Sequence, residues 1–125
     1  MEICTNNTIK EYRSKYFINE KPTIINIIKN YLNKIDQVKG KFNKIIVVEH
    51  LLVCLIANFE HFYTHKKFVS TIRNKMDELI IDITTLKNNL NDTYPLSEHY
   101  NIIEKCNKCI ELCQLTLFMT STIEI

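Results

Sequence analysis

The sequence predicts an all-α fold, an antiparallel four-helix bundle with a short additional N-terminal helix, and three observations carry that expectation. Gly40 is the only glycine and Pro22 and Pro95 are the only prolines, whereas folds built on tight turns, bulges and β-hairpins need many such residues. Apolar residues recur at steps of three and four through four long stretches of the chain, the period of an α-helix with one buried face. The connections between those stretches are short and polar, which favours antiparallel neighbours. A chain of 125 residues that is 46% hydrophobic suits one helical domain, residues 1–125, with a core of its own.

The elements follow in order. Asn7 or Thr8 with Glu11 resembles a capping box, opening a short amphipathic segment through Tyr12, Tyr16 and Phe17. Pro22 fits the first turn of a second helix, whose apolar face is Ile24, Ile27, Ile28, Tyr31, Ile35 and Val38 and which Gly40 ends. A third helix is expected from about residue 42 to 65. In a fourth, from about residue 68 to 90, Ile72, Met76, Leu79, Ile83, Leu86 and Leu90 alternate steps of four and three, the pattern of a bundle seam. Pro95 and Glu98 start the last helix, with Ile102, Cys106, Cys109, Ile110, Cys113 and Leu117 as its core stripe.

The third helix is the unusual one. At 100° per residue, Val48, Leu51, Leu55, Phe59 and Phe62 make an ordinary core face, but Ile46, Val53 and Ala57 make a second apolar face where a bundle helix normally meets water. His50, Cys54, His61 and His65 lie beside it. A helix apolar all round is a buried helix, so the second face must be enclosed by neighbouring helices, meet a twin subunit, or line a groove for another protein's helix. The expectation is an interaction surface of Ile46, His50, Val53, Cys54, Ala57 and His61, most simply in a homodimer.

Composition removes several classes. There is no glycine-rich phosphate loop and no G-x-S-x-G elbow, so the common nucleotide-binding and hydrolase chemistries are not expected. The net charge is +2, with sixteen basic and fourteen acidic residues interspersed, which disfavours a nucleic-acid face. The local clusters Lys39 to Lys44 and His65 to Lys67 read as solvated helix ends rather than anion sites. Glu49, His50, Asn58 and Glu60 interrupt the longest apolar run, so no membrane span is expected. Five cysteines without a leader segment suggest reduced thiols and a cytoplasmic setting.

Metal chemistry has two candidate groups. Cys106, Cys109 and Cys113 share one narrow arc of a helix and, with Cys54, could supply four thiolates to a soft metal. That arc also carries Ile102 and Leu117, so buried, reduced thiols without metal are the expectation. His61 and His65, four residues apart, would stand about 6 Å apart along a continuous helix, but no second His-x-x-x-His or Glu-x-x-His pair completes a bundle metal site. Catalytic residues, metals and cofactors are therefore expected to be none.

The expected function is a non-enzymatic protein–protein interaction module that dimerises or binds a partner helix. Abundant isoleucine, asparagine and lysine, with arginine only at Arg13 and Arg73, is the signature of an AT-rich genome such as that of many large DNA viruses, some protists and some low-GC bacteria, and points to a source rather than a function; the module is expected to be a viral or parasite effector acting on host signalling in the host cytoplasm. A hydrophobic central helix within a bundle is similar to the general plan of Bcl-2-type domains, but this chain is short for that fold and has no N-W-G-R stretch. The alternatives are a thiol- or metal-binding bundle using Cys54, Cys106, Cys109 and Cys113, and a secreted four-helix cytokine, which disulfides would mark.

Overall fold

Five α-helices follow one another in the computed structural model, which describes residues 5–90 and 96–121. They are α1 (Thr5–Tyr16), α2 (Lys21–Gln37), α3 (Lys41–Ala57), α4 (Lys66–Asn88) and α5 (Leu96–Thr120), with one 3-10 turn at Phe59–His61 between α3 and α4. No strand occurs among the described residues, in line with the scarcity of glycine, which disfavours tight hairpin turns.

Local chemistry explains most boundaries. Asn7 and Thr8 lie inside α1 and so do not cap it, and Glu11 pairs with Lys15 at 3.1 Å. Pro22 occupies the first turn of α2 as expected, and the Thr23 hydroxyl donates to the Glu20 carboxylate at 3.0 Å. α2 ends at Gln37, with Val38 as its C-cap, and not at Gly40 as expected; Gly40 instead precedes α3 at φ +90°, where a side chain would be strained and glycine is not. Pro95 lies outside the described residues.

The third helix departs from its expected course. It stops at Ala57, about two turns short of residue 65, although the apolar pattern continues through Phe59 and Phe62. Asn58 ends it: its backbone N–H donates to the Cys54 carbonyl at 3.1 Å and its side-chain amide to the same carbonyl at 2.9 Å. A short amide side chain that bonds nearby backbone offers the chain an alternative to the helical ladder. His61 and His65 therefore do not share a helix face, and their expected 6 Å spacing along one axis does not exist.

Packing then accounts for the helix that is apolar all round. α3 lies against α1, α2 and α5 together, while α4 packs chiefly on α5. Ile45, Val48, Leu51, Leu52, Val53, Leu55, Ile56 and Ala57 are all buried, covering roughly two thirds of the helix circumference at 100° per residue. Within the second apolar face Val53 is 8% and Ala57 2% exposed, and Ile46 is half-buried. α1 and α2 of the same chain pack on α3, so Val53 and Ala57 are buried without another molecule, while Ile46 keeps part of its surface open. Two apolar faces were incompatible with one core only while the N-terminal helix was counted as an accessory.

The remaining stripes behave as their spacing suggests. Ile24, Ile28 and Ile35 of α2, Val69, Ile72, Met76, Leu79 and Ile83 of α4, and Ile102, Cys106, Cys109, Leu112, Cys113 and Leu115 of α5 join one buried cluster. Leu86, Ile110 and Leu117 lie at its edge. Arg73 and Lys87 of α4 stand near Leu117 and Cys106 of α5 respectively, so those two helices run antiparallel. The Arg73 guanidinium donates to the Thr120 hydroxyl at 2.6 Å and to the Leu117 carbonyl at 2.9 Å, the latter an acceptor of the kind a helix end leaves open.

Candidate functional site: a cleft between the first two helices

α1 and α2 both rest on α3 but do not pack extensively against each other. They leave the connection at residues 17–20 and diverge, and the space between them is a cleft of about 390 Å³. Tyr12 and Tyr16 come from α1, Tyr31 from α2, Glu49, His50, Val53 and Cys54 from α3, and Lys108 from α5. Four helices contribute, so no single sequence motif marks the site.

The apex of this V is pinned by two side chains. Asn58, fully buried, accepts the Ile18 N–H at 2.8 Å and donates to the Tyr16 carbonyl at 3.2 Å besides its bond to Cys54. His61 places Nε2 2.6 Å from the Ile18 carbonyl and stacks on Phe17 with ring centroids 5.0 Å apart. A carbonyl only accepts, so Nε2 is the donor in this contact. Arg13 closes the same corner, over the Phe17 ring at 4.4 Å and paired with Glu60. His61 thus holds the α1–α2 connection.

The walls of the cleft are aromatic. Tyr12 and Tyr16 meet edge to face at 6.3 Å, and Tyr31 meets His50 likewise at 6.5 Å, the arrangement ring quadrupoles favour. Burial pushes the Tyr12 hydroxyl above its ordinary range, with nearby Lys108 opposing, and burial does the same to Tyr31. Val53 and half-buried Cys54 belong to the floor, where burial raises the Cys54 thiol.

One polar corner carries charge. The Glu49 side chain is only 14% exposed, with Oε1 3.1 Å from Lys105 Nζ and Oε2 3.0 Å from Lys108 Nζ. Burial pushes this carboxyl up, but the hydrogen bonds from Lys108 and Lys105 outweigh it and hold the group below the usual carboxylate range. Both carboxylate oxygens are engaged by ammonium groups, so Glu49 is poorly placed to act as a base.

Of the six residues expected to form a surface, the structure brings His50, Val53 and Cys54 into this cleft and leaves Ile46, Ala57 and His61 outside its lining. Tyr12, Tyr16, Tyr31, Glu49 and Lys108 complete it. The tyrosines were visible as apolar positions of amphipathic segments, but nothing in the sequence signals that Lys108 reaches them. The basic clusters diverge: Lys44 pairs with Asp82 at 3.6 Å, whereas His65, Lys66 and Lys67 join Lys29 around an open depression.

The α5 thiols lie elsewhere. Cys106, Cys109 and Cys113 are fully buried, and Cys109 Sγ is 3.9 Å from the Ile45 carbonyl. Cys54 belongs to the cleft instead, all four are free thiols, and among the described residues no three or more His, Cys, Asp or Glu side chains are grouped as metal ligands. Burial pushes Cys109 and Cys113 up to about 12. Thiols of an unfolded chain ionise near about 8.5, so between those values the folded state holds the extra protons. Stability is therefore expected to fall as pH rises through that window, by up to about 1.4 kcal/mol per pH unit for each thiol. Urea midpoints should be lower at pH 10 than at pH 8, with a shallower drop in Cys113→Ala; equal midpoints in the wild type would contradict this.

No protein-family profile matches the chain, and the comparisons with curated proteins and with solved structures likewise find no match. Among the described residues no helix is long and apolar enough to cross a membrane.

Proposed function

We propose that this protein is a non-enzymatic protein–protein interaction module that takes an apolar or aromatic anchor residue of a partner into the cleft between α1 and α2. The observation that carries the reading is the cleft itself, with three tyrosines around an apolar floor on a helix otherwise closed in by its own chain. Tyrosine offers a large amphipathic contact area at low entropic cost, and interface anchors typically enter desolvated pockets of this kind. The cleft volume, about 390 Å³, lies near the lower end of the roughly 300–1,000 Å³ of ligand sites, which suits one or two side chains rather than a whole helix. A non-catalytic role is supported by the chemistry of the lining: Glu49 is held by two lysines and the Cys54 thiol is raised. In this reading α2 to α5 supply the antiparallel bundle expected from the sequence, and α1 completes it as one wall of the site.

Selection from a random peptide library tests the proposal. Enriched peptides are expected to share a large apolar or aromatic residue and to lose about tenfold or more in affinity for a Tyr31→Ala/His50→Ala variant, because truncating interface anchors costs on the order of 1–2 kcal/mol each. Peptides that bind the wild type and this variant equally would contradict it.

A further inference from the structure

We propose that the partner segment carries a carboxylate beside its anchor residue, and that Lys108 reads it; this rests on the cleft being the binding site. At the polar corner two ammonium groups share one carboxylate, Glu49, whose two oxygens are both taken. These three groups together carry one positive charge. Lys108 lines the cleft, and its side chain is 50% exposed, so Nζ keeps donors for an incoming group, since an ammonium has three. The other lining side chains, Tyr12, Tyr16, Tyr31, His50, Val53 and Cys54, present no second carboxylate. An anion approaching here meets an attractive field without displacing Glu49. A cation would have to face Lys108 with Glu49 already neutralised and with Glu11, the other acid acting on Tyr12, paired to Lys15.

The position of Lys108 also fixes the arrangement of the partner. Lys108 acts electrostatically on the Tyr12 hydroxyl, so the ammonium stands at the α1 side of the cleft, while Tyr31 and His50 form the α2 side. An anchor seated over Val53 and Cys54 between those walls places a carboxylate of an adjacent residue toward Lys108. The occupant is thus an acidic peptide segment in which an aromatic or large aliphatic residue neighbours Asp or Glu.

Two probes separate this inference from the reading beneath it. N-acetyl-Phe-Asp-amide and N-acetyl-Phe-Lys-amide are titrated into the isotope-labelled protein, following the ring signals of Tyr12, Tyr31 and His50. The acidic dipeptide is expected to bind about fivefold more tightly, the scale of a partly exposed ion pair. Lys108→Met, which keeps the aliphatic stem, should remove that preference while the Phe-dependent shifts persist. Equal binding of both dipeptides to the wild type, or an acidic preference that survives in Lys108→Met, would overturn the role of Lys108 and leave the cleft intact. No shift of the cleft signals with either dipeptide would overturn the cleft as the binding site, and this inference with it.

Discussion

Asn58→Ala is expected to cost about 3 kcal/mol of stability and to loosen the α1–α2 connection more than any other part of the molecule. The Asn58 side chain makes three hydrogen bonds, from the Ile18 N–H and to the Tyr16 and Cys54 carbonyls, and the residue is fully buried. Alanine leaves the Ile18 N–H and Tyr16 carbonyl without that partner. Each such orphaned buried group costs roughly 1–3 kcal/mol. Cys54 loses less, because its carbonyl keeps the Asn58 N–H. Urea unfolding gives the free energy, and native-state hydrogen exchange locates the effect: the Ile18 amide should lose protection while amides of α4 and α5 change only as global stability requires. Unchanged stability with a still protected Ile18 amide would refute the clamp.

The same residue shows where sequence reading succeeds and where it stops. The stripes of α2, α4 and α5 were legible because each helix has one apolar face, and Ile24, Ile28, Ile72, Met76, Leu79, Cys106 and Cys109 are buried accordingly. The end of α3 was not, because Phe59 and Phe62 continue the helical spacing while a single polar residue, Asn58, terminates the ladder and fastens a loop 40 residues away in sequence. Pattern alone also assigned Val53 and Ala57 to a second face without showing what covers them, since the packing of α1 on α3 is a long-range fact that no local period encodes. Three of the eight cleft residues were visible for that reason. Val53 belongs to the odd face and His50 and Cys54 flank it, but Lys108 arrives from a helix whose own pattern speaks only of its core side, and no local period brings Tyr31 of α2 to the same place.

Ala57 tests that packing most directly. It lies at the C-terminal end of α3, is 2% exposed, and does not line the cleft. A glutamate side chain there would be forced into a close-packed interface and would bring a charge without a partner, a combination that costs on the order of 3–5 kcal/mol. Against the roughly 5–15 kcal/mol of a typical domain, that is a large part of the total. The measurement is urea unfolding of the wild type and Ala57→Glu, with sedimentation of both at the same concentrations. If α1 and α2 cover the second apolar face within one chain, the wild type sediments at its monomer mass of 14.8 kDa and Ala57→Glu is monomeric too but strongly destabilised. A wild-type dimer that Ala57→Glu converts into a folded monomer of normal stability would contradict the enclosure of α3 and return its second face to a twin subunit.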